Sequence, residues 1–308
     1  MTSDADTPRT PPRVSVIVVS FNTREKLHQC LTALGAEHEV IVVDNASADG
    51  SAAMVQAEFP NARLIANAEN RGFGAANNQG LAIATGALVL LLNSDAYVAP
   101  DTVSRLAEVF ADPSVFAAGP RLVNPDGSLQ WSAARELRLW AVFCEQTYLE
   151  KLLPGSRLFS PYWIRPSGDD TLEVEQVMGA CLMMRPGERF DERFFLYCED
   201  TDLCRRLRKR GRILYVPSLS VVHDLGSSSS QNRWRAVARY NHGKELYFRL
   251  HHGWAAWALC LILDRLGALL RLVVWALLAL ASGLRLERRT QVSLFARVLA
   301  APIFGPLK

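Results

Sequence analysis

Glu199, Asp200 and Asp202 crowd into FLYCEDTDLCRRLRKRG, between an aromatic run and a dense basic one. A carboxylate held beside an acceptor hydroxyl can remove its proton as that oxygen attacks. The same acids also suit the first turn of a helix, where negative charge meets the positive end of the helix dipole. Asp95 offers a second chemistry. In LVLLLNSDAYV a nonpolar run delivers a carboxylate into a polar turn. Such a group can ligate a hard divalent cation, which in turn can hold a diphosphate. Asp44 closes VIVVD and is placed to hydrogen-bond a base or a sugar, with Asn45 and Ser47 beside it. Asp, Asn and Ser also cap turns, the plainer account of all three. Arg71, in NRGFGAANNQG, is a phosphate ligand or a surface arginine, and Gly72 and Gly74 allow close backbone approach.

Regular elements must bring these residues together. VSVIVVSFN, EVIVVDNAS, ARLIAN and ALVLLLNSD read as strands; TREKLHQCLTAL, SAAMVQAEF and NNQGLAIATG read as helices between them. This alternation predicts an α/β fold with a mostly parallel sheet, whose polar strand ends are the usual place for ligands. YVAPDTVSRLAEVFADP predicts a further helix, VEQVMGACLMMRP a buried strand, and ILYVPSLSVVHD more strand before a helix from about residue 232. Residues 136–175, rich in aromatics and prolines, read as a loop over the site. The glycines of NRGFG do not make a dinucleotide fingerprint, because the first strand leads into SFNTREK without a glycine turn.

The chain divides into a lead-in (1–13), a catalytic α/β unit (14–230) and a basic apolar tail (231–308). MTSDADTPRTPPR reads as flexible, with no apolar signal segment. Residues 1–230 carry 22 basic and 28 acidic side chains, whereas 231–308 carry 12 basic and 3 acidic. A basic apolar tail suits an anionic membrane surface. No zinc spacing or reader motif supports nucleic acid. The six cysteines form no CxxC pair, which fits ordinary thiols in a reducing compartment.

Taken together, SVIVVSFN, VIVVDNASADGS, NRGFGAANNQG, LLLNSDAYV, GACLMMRP, FLYCEDTDLCRRLRKRG and VVHDLGSSS resemble the inverting family 2 glycosyltransferases of GT-A fold, near the bacterial rhamnosyltransferase branch. The resemblance spans about residues 14–230. It implies a nucleotide-sugar donor, dTDP-rhamnose in that branch, a divalent metal (Mg²⁺ or Mn²⁺), and transfer to a hydroxyl of a glycan or lipid-linked glycan. It gives Asp200 the role of base and Glu199 that of acceptor ligand. Ser20, Asn22, Asp44, Asn45, Arg71 and Asn93 fall to the nucleotide sugar, and Asp95 with His223 to the metal. NSD stands where many relatives carry two acids, so Asn93 supplies at most a neutral contact. A UDP-sugar donor, a nucleotidyltransferase and a noncatalytic glycan-binding scaffold are the competing readings.

The segment from Leu272 to Leu284 holds 13 largely apolar residues, short of the ~20 that span a bilayer. Two interfacial or hairpin helices are expected. Trp254, Trp257 and Trp275 would lie at the membrane interface, and Arg285, Arg288 and Arg289 on anionic headgroups. The competing account is packing on the catalytic unit or a homo-oligomer interface. The expected location is the cytoplasm, on the inner face of the cell membrane.

Overall fold

A computed structural model describes residues 13–225, 232–283 and 285–303. The expectations for the lead-in, for the serine run at 227–230 and for the last residues of the tail lie outside them. The described residues hold twelve strands: β1 (Val14–Ser20), β2 (Glu39–Asp44), β3 (Arg63–Ala66), β4 (Leu88–Asn93), β5 (Ala96–Tyr97), β6 (Val115–Val123), β7 (Leu129–Gln130), β8 (Ala133–Ala134), β9 (Leu172–Val174), β10 (Gln176–Val177), β11 (Cys181–Met184) and β12 (Arg212–His223). The helices are α1 (Arg24–Leu34), α2 (Ser51–Glu58), α3 (Phe73–Ile83), α4 (Thr102–Glu108), α5 (Leu139–Gln146), α6 (Leu149–Leu152), α7 (Glu199–Leu207), α8 (Arg233–Ala281) and α9 (Leu286–Leu299).

The main sheet runs β3-β2-β1-β4-β11-β6-β12-β5, with β7 on β6 and β9 on β12. It is parallel across β3-β2-β1-β4, as the alternation predicts. It becomes mixed beyond β4, because β11 runs antiparallel to both β4 and β6. The chain returns to β11 through an excursion that holds β7–β10 with α5 and α6, and enters it in the opposite sense to β6. β1, β2 and β4 are near-continuous β-branched and leucine runs buried on both faces, as strands between two helical layers must be. Leu27 of α1, Met54 of α2 and Leu106 of α4 pack on one face, and Ala76 of α3 with Leu203 and Leu207 of α7 on the other.

The expected buried strand in VEQVMGACLMMRP is split. Met178–Ala180 separates β10 from β11, and that gap meets the acidic segment. Residues 136–175 form a wall rather than a bare loop, comprising α5, α6 and β9.

The tail is a helical hairpin, α8 against α9, and α8 breaks at Gly253 (φ 83°). Before the break, Tyr247 and Phe248 pack on Phe194, Cys198 and Val142. After it, Asp264 returns to the first half: the fully buried Lys244 Nζ lies 2.8 Å from Asp264 Oδ1 and 3.0 Å from Glu145 on α5. Removing one partner of such a pair strands a buried charge, at a cost of about 3–5 kcal/mol. Among the described residues, no helix is long and apolar enough to cross a membrane.

Candidate active site

The register places the ends of β1, β2 and β4 side by side, with Ser20 opposite Asp44 and Val19 opposite Asn93. Ser20 is buried, and its hydroxyl joins Thr23 and Ser94 in a short chain of hydrogen bonds. Asp44 is buried as well. Its Oδ2 accepts the Ser47 amide at 3.0 Å, while Oδ1 is buried without a partner. An orphaned carboxylate oxygen at a strand end suits a sugar or base donor.

Asn45 and Asn22 bond neighbouring loops. Asn45 Nδ2 donates to Asn70 Oδ1 and the Gly72 carbonyl, and its Oδ1 accepts from Asn67 and the Arg71 amide. Its amide is spent on joining β2 to the NRGFG loop. Asn22, with φ 53°, accepts the Ala48 amide on its side chain and donates its own amide to Ser47. The Arg71 side chain is exposed at the edge of this loop. Gly72 and Gly74 do serve close approach: a Cβ at Gly72 would overlap Phe195, and one at Gly74 would lie 3.0 Å from Phe190 Cβ.

Asp95 and His223 meet through the pairing of β5 with β12. His223 Nε2 lies 3.3 Å from Asp95 Oδ1 and 3.2 Å from Asn93 Nδ2. Its Nδ1 lies 3.0 Å from Gln130 Oε1. The Gln130 amide group is fixed from its other side, where Nε2 donates to the His223 carbonyl and to Asn124 Oδ1. Oε1 can therefore only accept, so Nδ1 donates to it and Nε2 is the ring nitrogen that faces Asp95. A neutral Nε2 and Asp95 Oδ1 would offer a cation two ligand atoms, and the buried, unpartnered Asn93 Oδ1 would be a third. These residues fit a divalent metal, although no group of three His, Cys, Asp or Glu side chains gathers among the described residues. The amide of Asn93 stands in place of a second carboxylate.

The acidic segment reaches the site on an unusual turn. Tyr197 and Cys198 both have left-handed φ, 74° and 64°. Cys198 thereby ends the loop and starts α7 at Glu199. Asp200 Oδ2 accepts the Gly179 amide at 3.0 Å from the gap between β10 and β11, and Oδ1 accepts the Thr201 amide at 2.8 Å. Burial raises the Asp200 carboxyl above its usual range, and these amides oppose the rise. Glu199 is 5% exposed and its Oε2 has no partner. Burial, then the neighbouring Asp200 charge, pushes its carboxyl up to about 8. Asp202 instead bonds Arg206 and His251. The basic run after it is ion-paired within residues 14–225, Arg205 with Glu136, Arg206 and Arg210 with Glu188, and Arg208 with Glu175.

A cavity of about 590 Å³ joins these groups. Glu199, Asp200, Asn93 and His223 stand in its wall, together with Tyr162, Trp163 and Met178. The tail supplies another part of the wall, including Val237, Asp264 and Ala268 of α8 and Phe295 and Val298 of α9. Apolar side chains and ring faces make up most of the lining away from the acids. Ser20, Asp44, Asn45 and Arg71 lie outside this wall, along the strand ends beside it.

This sheet, with an acid at one strand end and an Asp–His pair at another, has the GT-A-like architecture of nucleotide-sugar glycosyltransferases. Residues 15–166 match the model of glycosyl transferase family 2, and the chain belongs to that family. It is 28% identical over 276 residues to the N-acetylglucosaminyl-diphospho-decaprenol L-rhamnosyltransferase of Mycobacterium tuberculosis, covering 78% of this chain and 85% of that one. A stretch of 102 residues, 32% of the chain, is 38% identical to the succinoglycan biosynthesis protein ExoO of Rhizobium meliloti and covers 29% of it. Among solved structures, the mannosyltransferase PcManGT of Pyrobaculum calidifontis in complex with GDP-Man and Mn²⁺ superposes with a TM-score of 0.55 at 19% identity, covering 95% of this chain and 86% of that one. GalNAc-T7 with UDP, GalNAc and Mn²⁺ gives 0.54 at 14% identity over 77% of this chain, which spans 48% of GalNAc-T7. At these identities the two structures speak for the fold alone.

Proposed function

We propose that the protein transfers rhamnose from dTDP-rhamnose, with inversion, to a hydroxyl of a lipid-linked glycan at the cytoplasmic face of the membrane. The observation that carries this reading is the composition of the cavity: Glu199 and Asp200 stand in a wall that is mostly apolar, part of it contributed by Val237 and Ala268 of α8 and Phe295 and Val298 of α9. The mycobacterial relative, an N-acetylglucosaminyl-diphospho-decaprenol L-rhamnosyltransferase by name, supports rhamnose as the sugar and a lipid-linked glycan as the acceptor.

Asp200 takes the acceptor proton as the hydroxyl oxygen attacks the anomeric carbon opposite the leaving diphosphate. The Gly179 and Thr201 amides fix its carboxylate in direction. Glu199 holds the acceptor with the oxygen it leaves unpartnered. Asp44 holds the nucleoside, with Ser20 beside it, and Arg71 approaches the diphosphate. Asn45 and Asn22 act at one remove, by shaping the loops around the donor. Asp95 and His223, with Asn93 Oδ1, would hold Mg²⁺ or Mn²⁺, which when bound offsets charge on the departing diphosphate.

The second half of α8 is turned inside out, which supports contact with a bilayer. Leu259, Ile262, Leu266, Leu269, Val273 and Leu277 follow helical spacing on its exposed face, while Asp264, Gly267 and Ala268 point inward. Arg285 and Arg289 are exposed just beyond it, suited to anionic headgroups.

Calorimetry with dTDP-rhamnose, UDP-glucose and UDP-galactose, each with Mg²⁺, Mn²⁺ or chelator, tests the donor. Metal-dependent binding of dTDP-rhamnose above the others is expected. Preference for a UDP-sugar would overturn the donor, and equal affinity in chelator would overturn the metal.

A further inference from the structure

The loop that carries the two acids is held from both sides by glycines. On the donor side the Phe73 amide donates to the Phe195 carbonyl at 2.9 Å, across the contact that only a glycine at 72 permits. On the other side stands Gly243, inside α8. A methyl group at Gly243 would stand 2.6 Å from the Tyr197 carbonyl oxygen and 3.1 and 3.2 Å from Cys198 Cβ and Sγ. Glycine weakens a helix interior, so its place here needs a reason, and close approach of another backbone is one. Three residues earlier, Tyr240 meets Tyr197 edge to face, with ring centres 6.2 Å apart. Lys244, next to Gly243, anchors this stretch of α8 through its buried pairs with Asp264 and Glu145.

What α8 presses on is the left-handed turn at Tyr197 and Cys198. Two successive residues other than glycine at left-handed φ persist only when their surroundings hold them there. They immediately precede Glu199 and Asp200, so their conformation sets where both carboxyls stand.

We infer that Gly243 and Tyr240 of α8 are positioning residues for sugar transfer, clamping the left-handed Tyr197–Cys198 turn so that Glu199 and Asp200 face the acceptor. The inference rests on the reading of Asp200 as the base. It assigns part of the catalytic geometry to the tail and leaves donor binding to the strand ends.

The test compares Gly243→Ala, Tyr240→Ala, Tyr240→Phe and Asp200→Asn in the full-length protein. Its readouts are turnover, acceptor KM, donor affinity by calorimetry and thermal midpoint. Misplacing a catalytic group by about 1 Å can cost up to ~100-fold in rate. Gly243→Ala and Tyr240→Ala are therefore expected to lower turnover at least tenfold, at an acceptor KM and a donor affinity within about twofold of wild type. Tyr240→Phe, which keeps the ring, restores most of the turnover. Wild-type turnover in both alanine variants overturns the clamp, as does a loss confined to acceptor KM. Should Gly243→Ala lose donor binding through misfolding, the Tyr240 pair decides alone. Asp200→Asn separates the two claims. If it transfers at the wild-type rate, the base assignment falls; if it is inactive while the α8 variants are not, only the clamp falls.

Discussion

Gln130 decides which nitrogen of His223 faces Asp95, and it does so with an amide that has no freedom to flip. Partners of this kind typically change metal affinity by about 10–100-fold. Gln130→Leu is expected to weaken Mn²⁺ binding in the presence of nucleoside diphosphate within that range, read by calorimetry. Unchanged affinity would show that the ring needs no orienting. Glu199 carries a different signature. Its carboxyl ionises near 4.5 ordinarily and near 8 in the fold, so between those values the native state binds the extra proton. Stability should therefore fall as pH rises from about 4.5 to about 8 and level off above, because the unfolded state binds fewer protons across that window. Asp200, also raised, acts in the same direction. Glu199→Gln should show a shallower fall in denaturation midpoint between pH 5 and pH 8, and parallel curves would contradict the burial of that charge.

Among the elements, α8 has the largest consequences. Its outward leucines predict that Leu266→Glu with Leu277→Glu will cut partitioning onto anionic vesicles by at least about tenfold, since each buried leucine contributes roughly 1.5–3 kcal/mol. Partitioning equal to wild type in a folded double variant would assign that face to something other than lipid. Point changes suit this test better than removal of 254–308, which would also take away Asp264, Ala268, Phe295 and Val298 from the cavity wall. The strands of the parallel half were legible because long β-branched runs bury both faces, and the tail hairpin because its apolar stretch is too short to span. α3 begins at Phe73, before the stretch that reads as helical, since Gly72 closes the turn and frees the chain to coil at once. The gap that splits β10 from β11 was hidden, because nothing in QVMGACLMM marks where pairing lapses to expose the Gly179 amide. The acids and His223 stood out by type and place. Gln130 reaches His223 only through the pairing of β7 with β6, and Gly243 looks locally like a flaw in a helix. The bonds of Asn45 are hidden for a related reason: its residue type suits a ligand, and only the fold brings up the neighbours that take its Nδ2 and Oδ1.

For the molecule as a whole, the sheet and the tail hairpin build one chamber between them. The sheet contributes the strand ends, the Asp–His pair and the gap amide; the hairpin contributes apolar wall and the brace behind the acids. On the reading given above, donor choice and acceptor choice are then written in different stretches of the chain. Exchange of the hairpin between relatives would move acceptor preference as a cassette while leaving the donor alone, provided the incoming helix keeps a glycine where Gly243 stands. That one position would act as the coupling that decides which cassettes are compatible.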